Sequence, residues 1–129
     1  MKQNTLKQQI EEAKKEGNDL YKKADLVGAA RMYESALKLC TKYREAEEAG
    51  ELKEEGMDFK EFSRLKSIIY NNIATCLFQL DELDQADLFN THAIREDPTY
   101  PKAIYRMALI HEKKGNLEIA LDIARMTSL

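Results

Sequence analysis

The sequence has few residues that interrupt helices. It contains two prolines and five glycines among 129 residues. The residue types that dominate the rest, Ala, Leu, Glu and Lys, are strong helix formers. With 43% hydrophobic and 33% charged residues, the chain has the composition of an ordinary helical protein and the length of one domain. The sequence therefore predicts an all-α fold in a single domain.

Long apolar runs are also missing. No segment approaches the roughly 18 apolar residues that a membrane span requires. The N-terminal stretch "MKQNTLKQQIEEAKKEG" has no apolar region of the kind found in signal peptides. These absences predict a cytoplasmic protein without a membrane span.

Residues that commonly carry chemistry are scarce. Cys40 and Cys76 are the only cysteines, and they have neither CxxC nor metal-site spacing, which predicts two reduced thiols at helix-packing positions. His92 and His111 are the only histidines, and neither has a partner at metal-ligand spacing. No glycine-rich phosphate loop or nucleophile elbow is present. The sequence therefore predicts no metal, no cofactor and no catalysis.

The chain also lacks an excess of positive charge. Its formal net charge is −3, which argues against nucleic acid as a partner because phosphates usually require an extended basic surface. Any basic patch must therefore be local.

An internal repeat organises most of the chain. Three segments align without gaps: "GNDLYKKADLVGAARMYESAL" (17–37), "ATCLFQLDELDQADLFNTHAI" (74–94) and "ALIHEKKGNLEIALDIARMTS" (108–128). In each segment a small residue is followed twelve positions later by alanine: Gly17 and Ala29, Ala74 and Ala86, Ala108 and Ala120. Two helices can cross closely where both side chains are small, so each segment is expected to be a helical hairpin. We expect larger side chains to fill the remaining core: Leu20, Tyr33, Leu37, Leu77, Leu83, Leu88, Leu117 and Leu121.

This pattern resembles the tetratricopeptide repeat (TPR), whose period is 34 residues. Ala86 and Ala120 are 34 residues apart, and Pro98 lies where that family places a helix-ending proline. The resemblance implies a right-handed α-solenoid of three repeats and about six helices, with a concave groove lined by the first helix of each repeat. The repeats would cover about 10–43, 67–100 and 101–129.

The third repeat is shorter than the family pattern, and no C-terminal capping helix remains in the sequence. We therefore expect the chain to be part of a longer protein, or to be covered at this end by a partner.

Residues 44–66 interrupt the spacing between the first two repeats. This segment is rich in both charges and is predicted to be a loop with helical extensions at both ends. Asp58 is expected to cap a helix that starts before the second repeat. An insertion at this point resembles the TPR domains of large immunophilins.

Cations and amides recur on the predicted groove stripe. Lys102 and Arg106 are four residues apart without an acidic residue between them, a spacing at which like charges repel on a helix. Asn18 and Asn72 lie mid-helix, where asparagine is unfavourable. Asn71 falls off the stripe and is interpreted as a bystander. Together with Lys14, the stripe predicts a cavity suited to carboxylates.

These positions match the carboxylate clamp of TPR co-chaperones: Lys14 and Asn18 in "KKEGN", Asn72 in "YNNIAT", and Lys102 and Arg106 in "KAIYR". In that family the clamp holds the C-terminal Glu-Glu-Val-Asp tail of cytosolic heat-shock protein 90 or heat-shock protein 70. The resemblance implies that Lys14, Asn18 and Asn72 hold the terminal carboxylate, Lys102 the last Asp side chain, and Arg106 a group further upstream. Neighbours that would form a pocket for tail side chains, or simply pack between helices, are Tyr21, Thr75, Phe78, Gln79 and Leu109.

Two other functions fit the same sequence. One is a TPR assembly scaffold that binds a non-chaperone partner through its convex side or through residues 44–66. The other is the targeting domain of a larger enzyme, such as a peptidyl-prolyl isomerase.

Overall fold

The computed structural model describes residues 4–127. Within this range the chain is all-helical, as predicted, with six helices and no strand: α1 (Leu6–Lys22), α2 (Leu26–Glu48), α3 (Phe59–Gln79), α4 (Leu83–Glu96), α5 (Pro101–Lys113) and α6 (Leu117–Thr127). Consecutive helices pack in pairs as three hairpins, and α3 also contacts α2 and α5. α4 contacts α5 as well, and α1 reaches α3 through an ion pair between Lys7 and Glu61 at 2.6 Å.

Three turns of the same geometry close the hairpins. Each connection is three residues long, and its middle residue has a positive φ: 63° at Ala24, 64° at Asp81 and 86° at Gly115. The next amide donates to a carbonyl five residues earlier, at 2.8–2.9 Å, which is the Schellman helix ending. The turns are 57 (81 − 24) and 34 (115 − 81) residues apart, the same spacing as the alanines in the sequence. The backbone thus repeats where the sequence does.

Ala24 is strained in this turn, and the third hairpin shows the residue that relieves the strain. A left-handed conformation costs an L-residue about 1–2 kcal/mol, whereas glycine adopts it freely. We expect Ala24→Gly to raise the free energy of unfolding by about 0.5–1 kcal/mol in urea titrations, after glycine's larger entropy loss is subtracted. Gly115→Ala should lower it by a similar amount, since a Cβ at Gly115 would meet no atom within 4 Å and only φ opposes the change. A destabilised Ala24→Gly variant would contradict this reading of the turn.

The core lies mainly between α1, α2 and α3. It includes Ile10, Tyr33, Tyr43, Ile69 and Ile73, all nearly inaccessible to solvent. The small residues predicted at the helix crossings are largely buried, among them Gly17, Ala29, Ala74, Ala86 and Ala120. The predicted core was wrong at three leucines, because Leu88, Leu117 and Leu121 are each more than half exposed. Leu88 lies on α4, and Leu117 and Leu121 line an open cavity between α5 and α6 that no described side chain fills.

The insertion is largely helical and its centre is attached to the first hairpin. α2 continues to Glu48 and α3 begins at Phe59, which confirms the predicted extensions and leaves residues 49–58 between the helices. The Asp58 side chain accepts a hydrogen bond from the Glu61 amide at 2.8 Å, as predicted for a cap. The Glu54 carboxylate accepts hydrogen bonds from the amides of Leu6 (2.8 Å) and Lys7 (3.1 Å), the first two residues of α1. A carboxylate there satisfies free amides and complements the positive end of the helix dipole.

Candidate functional site: a cavity between α1, α3 and α5

A cavity of about 350 Å³ lies where α1, α3 and α5 come together. Four of the five residues predicted to bind carboxylates line it: Asn18 from α1, Asn72 from α3, and Lys102 and Arg106 from α5. The other lining residues are Tyr21, Tyr33, Asn71, Thr75 and Tyr105. The wall therefore combines two cations, three primary amides and aromatic side chains.

The two cations of this cavity have no acidic partner among the described residues. Within residues 4–127, neither Lys102 nor Arg106 forms an ion pair. The Nε atom of Arg106 is buried and has no hydrogen-bond partner in that range. The Arg106 guanidinium lies 5.3 Å from the centroid of the Phe78 ring, which orients it by a cation–π contact. A buried donor without a partner carries a desolvation cost, and the guanidinium to which it belongs lines the cavity.

The amide of Asn18 is held by a tyrosine. The Tyr33 hydroxyl donates a hydrogen bond to the Oδ1 atom of Asn18 at 2.5 Å. No other group among the described residues hydrogen-bonds the Asn18 side chain. The Nδ2 amino group of Asn18 is therefore left as a donor at the cavity wall.

Asn71 also lines this cavity, so the prediction that it falls off the groove stripe was wrong. It is buried, it lines the wall next to Asn72, and its Oδ1 atom has no hydrogen-bond partner in the described part of the chain. Burial raises the pKa of Tyr100, and a hydrogen bond to the Asn71 side chain opposes that shift. Successive side chains on a helix point in directions about 100° apart. A cavity that extends from α1 to α5 is wide enough to be lined by two successive residues of α3.

Lys14 lies beside the cavity and does not line it. It borders a neighbouring depression together with Arg64 and Ile68, one helical turn before Asn18 on the same side of α1. Its Nζ atom pairs with Glu11 at 3.1 Å. Lys14 therefore lies one turn from Asn18, the residue with which it was expected to bind a carboxylate. Unlike Lys102 and Arg106, it is paired with an acidic side chain.

Three of the five residues predicted to form a side-chain pocket line cavities, and these three are divided between two of them. Tyr21 and Thr75 line the cavity between α1, α3 and α5, and the Nε2 atom of Gln79 donates to the Tyr21 hydroxyl. The ring of Phe78 makes cation–π contacts with two side chains. The Nζ atom of Lys113 lies 5.1 Å from the ring centroid, and the Arg106 guanidinium lies 5.3 Å from it. Leu109 instead lines a separate, mainly apolar cavity of about 860 Å³ between α5 and α6.

The histidines and cysteines lie away from this cavity. His92 stacks on Tyr70 with ring centroids 5.1 Å apart, and the Nδ1 atom of His111 contacts the side-chain amide of Asn116 at 3.2 Å. Cys40 and Cys76 are unbonded and buried, and burial raises the pKa of these thiols to about 12 and about 11. Across residues 4–127 no group of three or more His, Cys, Asp or Glu side chains could hold a metal ion. No described helix is long and apolar enough to cross a membrane.

No family model matches this sequence.

Proposed function

We propose that this chain is a TPR domain of three repeats, and that its cavity binds the free C-terminal end of an acidic protein tail. By the resemblance of its residues to the carboxylate clamp, the partner is the Glu-Glu-Val-Asp tail of heat-shock protein 90 or heat-shock protein 70. The chain would act as a co-chaperone adaptor that brings an attached domain to the chaperone. The observation that carries the proposal is the cavity with unpaired cations and free amide donors on three helices.

The repeat geometry supports a TPR arrangement. Three hairpins end in the same Schellman turn at spacings of 57 and 34 residues. The first helix of each hairpin supplies the cavity's predicted residues, Asn18 on α1, Asn72 on α3, and Lys102 with Arg106 on α5. This is the division of roles that the resemblance implies.

The charges of the site favour a ligand with more than one carboxylate. Lys102 and Arg106 are cations one turn apart on α5, so a doubly anionic segment such as a C-terminal aspartate would satisfy both. Asn18 adds a neutral donor, which suits the acceptor-only oxygens of a carboxylate.

Lys14 can join such a site at small cost. Its partner Glu11 is three residues away on the same helix, and about half of the Glu11 side chain is exposed. Ion pairs of this type contribute only about 0.3–0.5 kcal/mol. A bound carboxylate with several donors would offer Lys14 a stronger partner than Glu11 does.

The direct test is a calorimetric titration with a short peptide that ends in Glu-Glu-Val-Asp, in its free-acid and C-terminally amidated forms. We expect micromolar affinity for the acid, a total of about 8 kcal/mol, because ordering the tail offsets much of the gain from its hydrogen bonds. Amidation should weaken binding at least tenfold, since it removes the charge that the donors recognise. Affinity should also fall as salt rises from about 0.05 to about 0.5 M, because screening shortens the reach of the cations.

Equal affinity for the acid and the amide would overturn the proposal. If the tail did not bind at all, while removal of residues 49–58 abolished binding of another partner, an assembly scaffold would be the better description.

A further inference from the structure

The hydroxyl of Tyr33 faces the cavity although the tyrosine belongs to α2, a helix that supplies no other lining residue. Its side chain is 2% exposed, so its position is fixed by packing. The hydroxyl donates to the Oδ1 atom of Asn18. From the sequence, Tyr33 is expected only as a core residue, with no part in binding.

This hydrogen bond determines which end of the Asn18 amide faces a ligand. Oδ1 and Nδ2 lie on opposite sides of the same carbon, so fixing the oxygen against Tyr33 also fixes the amino group. Without a partner the terminal torsion of asparagine is broad and nearly two-fold, and either end could face the cavity. A carboxylate accepts hydrogen bonds and is repelled by a carbonyl oxygen, so only one of the two orientations binds it.

The direction of the hydrogen bond follows from the surroundings of the hydroxyl. Burial raises the pKa of Tyr33 to about 12, so the group is protonated at neutral pH. Within the described residues Asn18 is its only hydrogen-bond partner, and the amide oxygen, which can only accept, is the atom placed against the hydroxyl. Tyr33 therefore donates, and Asn18 presents its amino group.

Gly17 gives the tyrosine ring its place. A Cβ at this position would lie 2.6 Å from Cε1 and 2.7 Å from Cδ1 of Tyr33, well inside van der Waals contact. Only glycine lets the ring approach α1 this closely and extend its hydroxyl to the neighbouring Asn18. The three residues act together, with Gly17 admitting the ring and the ring orienting the amide.

We propose that Tyr33 is a positioning residue for ligand recognition: it fixes the Asn18 amide so that the cavity accepts carboxylates and rejects neutral chain ends. The proposal rests on the function proposed above, in which Asn18 donates to a terminal carboxylate. Tyr33 itself does not contact the ligand in this account.

The test is Tyr33→Phe, which keeps the ring and removes the hydroxyl, titrated with the free-acid and amidated Glu-Glu-Val-Asp peptides. We expect affinity for the acid to fall about three- to tenfold, as loss of one oriented hydrogen bond implies. Affinity for the amidated peptide should change by less than about twofold, because that peptide has no terminal carboxylate for the Asn18 amino group to bind. The preference for the free-acid peptide should therefore shrink. Tyr70→Phe, a tyrosine that stacks on His92 away from the cavity, is the matched control and should keep the wild-type preference.

A double variant separates positioning from general stability. In an Asn18→Ala background, Tyr33→Phe should have no further effect on the acid preference, because the amide that it orients is gone. If Tyr33→Phe weakens both peptide forms equally, or leaves the preference unchanged, the positioning role is wrong. A wild-type protein that does not prefer the acid would instead refute the proposed function itself.

A measurement on the wild-type protein covers the case in which the Tyr33 variant fails to fold. In ¹⁵N-labelled protein, the Asn18 Nδ2 resonance should shift when the free-acid peptide binds and much less with the amide. An Asn18 amino resonance that does not respond to the acid would overturn the proposed orientation.

Discussion

Replacing Arg106 with alanine should weaken binding of the free-acid tail peptide by about 10- to 100-fold, the loss expected for a charge-assisted hydrogen bond of about 1.5–3 kcal/mol. Arg106 is the cation of the cavity whose Nε atom is buried without a partner. The folded protein itself should lose little, because the substitution removes a donor that nothing in the described chain satisfies. Titration calorimetry together with circular dichroism would measure both effects.

Two further variants sharpen the Arg106 prediction. Arg106→Lys keeps the charge and gives up the flat guanidinium that lies 5.3 Å from the Phe78 ring centroid, so we expect a loss smaller than that of alanine. Arg31→Ala removes the same charge from an exposed position on α2 and should leave affinity within about twofold, since an exposed distant charge is largely screened. If the Arg106→Ala protein bound the peptide as tightly as the Arg31→Ala protein, the cavity would not be the binding site.

Replacing Tyr43 with alanine should lower the free energy of unfolding by about 3–5 kcal/mol, the cost of deleting a buried aromatic ring. Tyr43 is fully buried, its ring centroid is 5.0 Å from that of Phe62, and its hydroxyl accepts a hydrogen bond from the Met57 amide. Small domains have only about 5–15 kcal/mol of stability in total. The variant should therefore unfold at markedly lower urea concentration.

The hydroxyl and the ring of Tyr43 can be tested separately. Tyr43→Phe keeps the ring and leaves the buried Met57 amide without its acceptor, which should cost about 1–3 kcal/mol. Phe59→Ala removes an aromatic ring that is 83% exposed and should change stability by no more than about 0.5 kcal/mol. A Tyr43→Ala protein as stable as Phe59→Ala would show that residues 49–58 and the end of α2 do not depend on this side chain.

The helices and their connections were largely predictable because their signals are local. Helix breakers are few, and the cap at Asp58 can be recognised from the residues that follow it. The spacing of the small residues predicted the hairpins, and the repeated turns at Ala24, Asp81 and Gly115 follow the same spacing. These features depend on neighbours within a few positions along the chain.

The site was only partly predictable because it depends on contacts between helices. A helical stripe assigns each residue to a face by its position alone, which selected Asn72 correctly for the cavity wall and excluded Asn71 wrongly. Tyr33 was missed because its contact with Asn18 joins two helices. The signal that could have found it is Gly17, a glycine within a helix opposite a large ring, since an interior helix glycine usually has a packing reason.

The exposed leucines were unpredictable for a related reason. Leu88, Leu117 and Leu121 have helical spacing toward a core, yet Leu88 is half exposed on α4, and Leu117 and Leu121 line an open cavity between α5 and α6. Periodicity shows that a helix has an apolar face, and it does not show which partner covers that face.

The contact between Glu54 and the start of α1 has a kinetic consequence. Each hairpin turn joins residues five positions apart, whereas Glu54 is bonded to residues 47 and 48 positions away. Contacts that are near in sequence form with little loss of chain entropy and dominate fast folding. The hairpins should therefore form first, and residues 49–58 should dock last. The docked segment should then mainly slow unfolding and have little effect on the folding rate.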